Sequence, residues 1–225
     1  MLTDLISRDR VIVISPFTNF NVILGLNIAY TLMCSNCREI SIIISYSVSL
    51  SVIREVIKND KGVLFTREFK CLDNLCACVV VSNSIEAEKL LYCFRKTSKV
   101  FVLVNRVHQL HKLRNSAWNT YRVRRVDPNT YSLVSTDGDA PIILGVKGYS
   151  IHQTAIPEDA LLIYREVTNY VKEFGTIRAS DLVRYMVKIL GYDRDFVLNA
   201  VRKSIAIGII RYQSGYLIPA SSISI

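Results

Sequence analysis

No apolar run in the sequence approaches the ~18–20 residues that a membrane-spanning helix needs. Charged side chains stand within the first ten residues, unlike a signal peptide or an anchor: Asp4, Arg8, Asp9 and Arg10. We therefore expect a soluble cytoplasmic protein. Half of the 225 residues are hydrophobic, which is enough for one large core or two smaller ones.

Histidine is also scarce, with three in the chain. His108 and His111 have a spacing that could chelate a metal, but no neighbouring carboxylate or cysteine completes a ligand set. Glu86 and Glu88 are two residues apart, so on a helix they would point in different directions. The sequence contains no recognisable Ser–His–Asp or Cys–His arrangement. The sequence therefore predicts neither a catalytic site nor a cofactor.

The six cysteines all lie in the first hundred residues. Cys34 and Cys37 have the two-residue gap of zinc ligands, and Cys71, Cys76 or Cys78 could complete such a site. Cys34 and Cys37 could instead form a disulfide, and free cysteine is often simply a small buried hydrophobe. The spacing leaves these alternatives open.

Acidic residues are missing from one long stretch. The net charge is +9, which favours an acidic partner, with nucleic acid before an anionic membrane surface. Residues 95–126 contain no Asp or Glu and nine cations: Arg95, Lys96, Lys99, Arg106, Lys112, Arg114, Arg122, Arg124 and Arg125. Interleaved aromatic side chains suit stacking on bases, so this segment predicts DNA or RNA contact. The alternative is a solvated basic face on edge strands.

Short β-branched apolar runs alternate with helical patterns in the first two thirds of the chain. The runs at 11–15, 40–45, 76–82 and 100–105 are typical of buried strands, and a brief strand is expected at 63–65. Helices are predicted at 22–33, 49–58 and 85–95. This alternation predicts an α/β domain over residues 1–152 with a mainly parallel sheet. Turn signals at Asp127-Pro-Asn-Thr130 and Asp137-Gly-Asp predict an antiparallel meander at the sheet edge over 118–150.

Residues 153–225 predict a second domain, a winged helix-turn-helix. The pattern indicates a helix over 158–174, a second one capped by Ser180 or Asp181, a third capped by Asp193, and a terminal hairpin around Ser214-Gly215. This order presents the third helix to a nucleic-acid groove. The expected contact residues are Arg194, Asn199, Arg202, Lys203, Arg211 and Tyr212. Because this part carries an excess of only two positive charges, protein contact is the alternative.

The strand, loop and helix at 11–33 invite comparison with a phosphate-binding loop. Ser15 and Phe20 occupy its two glycine positions, Asn21 its lysine position and Val22 its hydroxyl position. The loop Pro16–Asn21 therefore lacks every group that would hold phosphate or magnesium.

The framework around that loop resembles the RecA/RadA recombinase family, and archaeal RadA-type paralogues in particular. The resemblance covers residues 11–151 and is carried by the helix at 24–33, the strand at 79–84 and the strand at 101–107, where Arg106 replaces the family's glutamine. Ser82 stands where the family has a magnesium-linked aspartate. The rival is the ParA/MinD group of ATPases, whose corresponding helix is similar to Asn27-Ile-Ala-Tyr30.

The resemblance implies a non-catalytic accessory protein of DNA recombination, repair or replication, with a RecA-like core that has lost its ATPase chemistry. DNA is the expected partner. The resemblance also allows a RecA/RadA-type recombinase or a second copy of this chain as a partner. Three alternatives remain: a transcription regulator, an assembly factor that partners an active recombinase, and a weak ATPase.

Overall fold

The computed structural model describes residues 2–35, 37, 39–45, 53, 56–57, 63–66, 75–94, 97–113 and 117–220. The chain divides into two compact units. The first unit comprises Met1–Val123 and Gly145–Gln153, and the second unit comprises Arg124–Leu144 and Thr154–Ile225. The second unit thus includes a segment that the sequence assigns to the first domain.

In the described residues, twelve strands form two sheets. They are β1 Arg10–Ile14, β2 Ile40–Ile44, β3 Val63–Thr66, β4 Leu75–Glu86, β5 Thr97–His108, β6 Asn119–Asp127, β7 Thr130–Ser135, β8 Ile142–Lys147, β9 Ser150–Thr154, β10 Ile177–Arg178, β11 Ile210–Gln213 and β12 Tyr216–Pro219. The large sheet has the order β3-β2-β4-β5-β1-β6-β7-β8-β9, and the small sheet has the order β10-β12-β11.

Six α-helices and one 3₁₀ turn lie in the described residues. The helices are α1 Thr3–Ile6, α2 Thr18–Cys34, α3 Ala87–Phe94, α4 Glu158–Phe174, α5 Ala179–Lys188 and α6 Arg194–Ile207, and the 3₁₀ turn is Leu110–Leu113. None of these helices has both the length and the apolar character to cross a bilayer.

The predicted α/β class is confirmed. Strands β1 to β6 pair in parallel, and β1 lies between β5 and β6. The centres of β1, β2, β4 and β5 are buried, as their near-continuous Val and Ile content predicts for strands covered on both faces.

Helices cover both faces of this sheet. Alternate residues of a strand point to opposite faces. Gly25 of α2 lies against Val81 and Leu103 on one face, which we call the α2 face. Leu90 of α3 packs with Val80 in a cluster on the other face, which we call the α3 face.

The end of the large sheet is formed by β6 to β9 in chain order. Only two residues separate β6 from β7, and two separate β8 from β9. Parallel neighbours need a crossover of a dozen residues or more, so these two connections join antiparallel strands. A strand meander at the sheet edge is what the turn signals predict.

The second unit has its own apolar core. The side chains of Ile163, Leu182 and Val197, from α4, α5 and α6, pack together with Leu217 of the small sheet. The small sheet is antiparallel in both of its pairings. Ser214 and Gly215 both have positive φ, which suits the tight turn between β11 and β12.

Helix ends in this unit follow the sequence signals in part. Asp193 caps α6 as predicted, because its carboxylate accepts a hydrogen bond from the Phe196 N–H at 2.9 Å. The prediction that Ser180 or Asp181 caps the second helix is wrong. Helix α5 begins at Ala179, and Arg178 occupies the N-cap position without a side-chain cap bond.

Two boundaries in the first unit also differ from prediction. Helix α2 begins at Thr18, so the predicted loop Pro16–Asn21 is helical over most of its length. Strand β4 continues to Glu86, so the helix predicted from Ile85 begins two residues later. Most of the predicted helix 49–58 lies outside the described residues.

The cysteine pairing is a further correction. Cys37 is disulfide-bonded to Cys76, with 5.7 Å between their Cα atoms, and Cys34 is a free, exposed thiol. Zinc binding or a disulfide between Cys34 and Cys37 is therefore wrong. The pairing follows from the sheet, because Cys37 precedes β2, Cys76 is the second residue of β4, and these strands are parallel neighbours.

Candidate nucleic-acid interface

Two arginines of the acid-free segment lie near each other on the first unit. Val104, Ile14 and Arg122 are aligned across β5, β1 and β6, and Arg106 follows Val104 by two residues. Aligned residues share a face, so Arg122 is on the α3 face, and Arg106 lies beside Val107, which packs into the cluster on that face. Strand spacing of ~4.8 Å and a rise of ~3.3 Å per residue place the Cα atoms of Arg106 and Arg122 roughly 12 Å apart.

Both side chains of this Arg106–Arg122 pair are exposed. Neither forms a hydrogen bond or an ion pair with another described residue. His108 is exposed two residues beyond Arg106, on the same strand face. Two uncompensated guanidinium groups on β5 and β6, the strands that flank β1, form a surface suited to phosphate.

Lys112 is close in sequence but differently placed. Its ammonium group donates a 2.6 Å hydrogen bond to the Glu88 carboxylate of α3. This bond and the charge of Lys112 lower the pKa of Glu88. The pair is neutral overall, so Lys112 adds less to the local positive potential than the Arg106–Arg122 pair does. Arg114, Arg95 and Lys96 lie outside the described residues.

Three further predicted cations have partners within the second unit. Arg124 donates to the carbonyl of Ile205 at the end of α6, at 2.8 Å. Arg125 donates to the Pro128 carbonyl at 2.9 Å and thereby braces the β6–β7 turn. Lys203 forms a 2.8 Å ion pair with Asp159 of α4. These contacts give all three side chains a structural role.

Helix α6 presents a mixed outer face. Arg194, Asn199 and Arg202 are exposed, as a contact helix requires, but Asp195 is exposed as well. At 100° per residue, Asp195, Asn199 and Arg202 share one side of the helix. Arg211 and Tyr212 are exposed on β11. The structure therefore keeps these five predicted contact residues accessible, with one carboxylate among them.

The connection between β1 and α2, which the sequence invites us to compare with a phosphate-binding loop, is held by hydrogen bonds of its own side chains. Only Ser15, Pro16 and Phe17 connect β1 to α2. Asn21 is fully buried, and its amide donates to the Ser15 carbonyl and to Oδ1 of Asn105, both at 3.2 Å. The Phe17 N–H donates to Ser15 Oγ at 3.1 Å. This network ties the carboxyl ends of β1 and β5 together.

This network lies where the chain leaves two neighbouring strands on opposite faces of the sheet. Helix α2 leaves β1 on the α2 face, whereas Leu113 and Trp118, which connect β5 to β6, pack on the α3 face. Ligands of parallel sheets bind where neighbouring connections leave on opposite faces, at the carboxyl ends of the strands. In this protein Asn21 and Asn105 bridge that point.

Sequence reasoning missed two cations of the second unit, Arg184 and Lys188. They are exposed on α5 and line a groove between α5 and α6. The sequence could have identified them by their four-residue spacing, because they lie beside an apolar stripe that also repeats every four residues. Among the described residues, no group of three or more His, Cys, Asp and Glu side chains is arranged to hold a metal ion.

No protein-family model matches the sequence, and no curated protein is significantly similar to it.

Proposed function

We propose that this protein is a non-catalytic, nucleic-acid-binding accessory protein with a RecA-like core and a winged helix. The observation that carries the proposal is the exposed Arg106–Arg122 pair, on the two strands that flank β1 in the parallel sheet. Phosphate contacts by arginine supply most of the affinity of sequence-independent binding. The narrower role in DNA recombination, repair or replication is supported by the resemblance of the sequence to the RecA/RadA family.

The order of elements in the second unit supports the winged-helix part of the proposal. Helices α4, α5 and α6 precede a hairpin of β11 and β12, and β10 pairs with β12. In a helix-turn-helix protein the last helix enters a groove, and here it would be α6 with Asn199 and Arg202. Arg211 and Tyr212 on the hairpin would contact the adjacent backbone.

The predicted measurement is salt-dependent binding. We expect the protein to bind DNA and the double variant Arg106→Ala/Arg122→Ala to bind it more weakly. For duplex DNA, the slope of log binding constant against log salt concentration should be smaller in magnitude for the variant by about 1.8, or about 0.9 for each lost phosphate contact. Affinity at low salt should fall roughly tenfold or more per arginine, since a hydrogen bond to a charged group contributes about 1.5–3 kcal/mol. Anisotropy titrations with single-stranded, duplex and branched DNA at several salt concentrations measure both quantities.

The matched control removes the same charge elsewhere. Arg165 and Lys172 are exposed on α4, and the variant Arg165→Ala/Lys172→Ala should keep the slope of the unmodified protein. Equal slopes for the two double variants would show that net charge alone is responsible and would refute the proposed interface. Absence of binding to all three DNAs would refute the function.

The same proposal predicts no nucleotide chemistry at the β1–α2 loop. Its lysine position holds Asn21, whose amide is engaged by Ser15 and Asn105. Magnesium–ATP at a hundredfold excess over a dissociation constant would stabilise the protein by about 2.7 kcal/mol. We expect no change in thermal melting and no phosphate release above the buffer rate. A saturable rise in melting temperature with ATP would instead favour a residual ATPase.

A further inference from the structure

A groove of about 550 Å³ runs between α5 and α6 in the second unit. Its nine lining residues come from α5, between Ala179 and Lys188, and from α6, between Arg194 and Val201. We call it the α5–α6 groove. The nucleic-acid function proposed above makes no use of it, apart from Arg194 at its end.

The floor of the groove is apolar. Ala179, Val183 and Val187 follow one another at four-residue intervals along α5, so they form one stripe. Leu198 and Val201 form the facing stripe of α6. Val183, Val187 and Leu198 are only half-buried. Apolar surface that is concave and accessible to water is a common mark of a docking site.

The rim of the groove is positively charged. Ser180, Arg184 and Lys188 form a second stripe of α5 beside the apolar one. Arg184 and Lys188 are exposed, and neither forms an ion pair with another described residue. None of the nine lining residues is acidic. Three acids adjoin lining residues in sequence, since Asp181 follows Ser180 and Asp193 and Asp195 flank Arg194, and none of the three lines the groove.

We propose that the α5–α6 groove binds an amphipathic helical segment of a partner protein that carries carboxylates along one flank. Apolar side chains at i, i+3, i+4 and i+7 would fill the floor, as helices do in apolar grooves. Glu or Asp residues four apart on the partner would match the four-residue spacing of Arg184 and Lys188. The stripe from Ser180 to Lys188 spans about 12 Å at 1.5 Å per residue, or about two helical turns.

Nucleic acid fits this groove less well than an acidic helix does. Phosphates gain nothing from a floor of Val183, Val187, Leu198 and Val201, because charged groups lose hydration against apolar surface. Bases stack on aromatic rings, and none of the nine lining residues is aromatic. Cations beside a valine and leucine floor instead complement an amphipathic acidic helix.

The test is a selection with the full chain as target. The probe is a displayed library of helical peptides of about 14 residues, with Leu or Ala at i, i+3, i+4 and i+7 and with Glu, Lys or Gln at the flanking positions. We expect enrichment of Glu at flanking positions four apart. With the Arg184→Glu/Lys188→Glu variant as target, Lys should be enriched there instead.

Titration of the enriched glutamate peptide completes the test. Its affinity should fall at least tenfold on Arg184→Glu/Lys188→Glu, and less on the charge-matched control Arg165→Glu/Lys172→Glu. Arg184→Gln/Lys188→Gln replaces the first variant if circular dichroism shows that it is unfolded. Failure to enrich any peptide, or the same enrichment with both targets, would overturn the proposal. Displacement of the peptide by duplex DNA, with loss of DNA affinity in the Arg184 and Lys188 variants, would also overturn it and assign the groove to nucleic acid.

Discussion

Replacing Cys37 with serine is expected to lower the free energy of unfolding of the first unit by about 4 kcal/mol. Cys37 and Cys76 are 39 residues apart, and the bond between them restricts the unfolded chain. Loop-closure entropy gives about 3 kcal/mol for a 15-residue loop and about 4.7 kcal/mol for a 100-residue loop. The measurement is urea unfolding without reductant, followed by the fluorescence of Trp118. This residue is the single tryptophan of the chain and is buried in the first unit.

Several controls separate the disulfide from simple loss of a cysteine. Cys76→Ser should cost as much as Cys37→Ser, and the double variant should cost no more than either, since both remove the same bond. Dithiothreitol should destabilise the unmodified protein and leave Cys37→Ser unchanged. Cys34→Ser should have little effect because this thiol is free and exposed. A Cys34→Ser variant as unstable as Cys37→Ser would contradict the pairing.

Alkylation provides an independent check on the free thiols. Burial raises the pKa of the Cys78 thiol to about 12, so this group has almost no reactive thiolate at pH 8. Iodoacetamide should therefore modify exposed Cys34 in the folded protein and leave Cys78 unmodified until the protein unfolds. Peptide mass spectrometry distinguishes the two sites.

Replacing Gly25 with leucine is expected to destabilise the first unit by roughly 3 kcal/mol, at the upper end of the range for overpacked cores. A Cβ atom at this position would lie 2.6 Å from Cγ2 of Val81, 3.5 Å from Val79 and 3.6 Å from Leu103. All three neighbours belong to buried strands, so neither they nor α2 can move aside without losing contacts. The same urea titration followed by Trp118 measures the loss.

A compensating pair tests whether the cause is steric. Gly25→Ala should stabilise α2 by up to about 1 kcal/mol through helix propensity, and the clash of the new Cβ with Val81 should offset this gain. Adding Val81→Ala removes the methyl group that the new Cβ meets, so the two substitutions should together cost less than the sum of their separate costs. Asn19→Leu, at an exposed position of the same helix, should change stability by no more than about 0.5 kcal/mol. Additive costs for Gly25 and Val81 would show that α2 does not contact β4 this closely.

The sequence predicts which cations the candidate nucleic-acid surface could contain, but not how the fold arranges them. The acid-free segment identifies Arg106 and Arg122 as cations, and the same argument applies equally to Lys112 and Arg124. The difference between them arises from partners distant in sequence, such as Glu88 for Lys112 and the Ile205 carbonyl for Arg124. A charge count cannot separate a cation that holds the fold together from one that faces solvent.

The sequence by itself determined the local features of this protein. Runs of β-branched residues determine the buried strands, the carboxylate of Asp193 determines the start of α6, and Ser214-Gly215 determines the hairpin turn, because each depends on residues close to it in the chain. Only the tertiary structure decided which distant groups meet. Parallel pairing of β2 with β4 brings Cys37 to Cys76 instead of Cys34, and the pairing of β5 and β6 with β1 brings Arg106 and Arg122 near each other. Strand order depends on how helices cover a sheet, and the spacing of residues along the chain does not determine it.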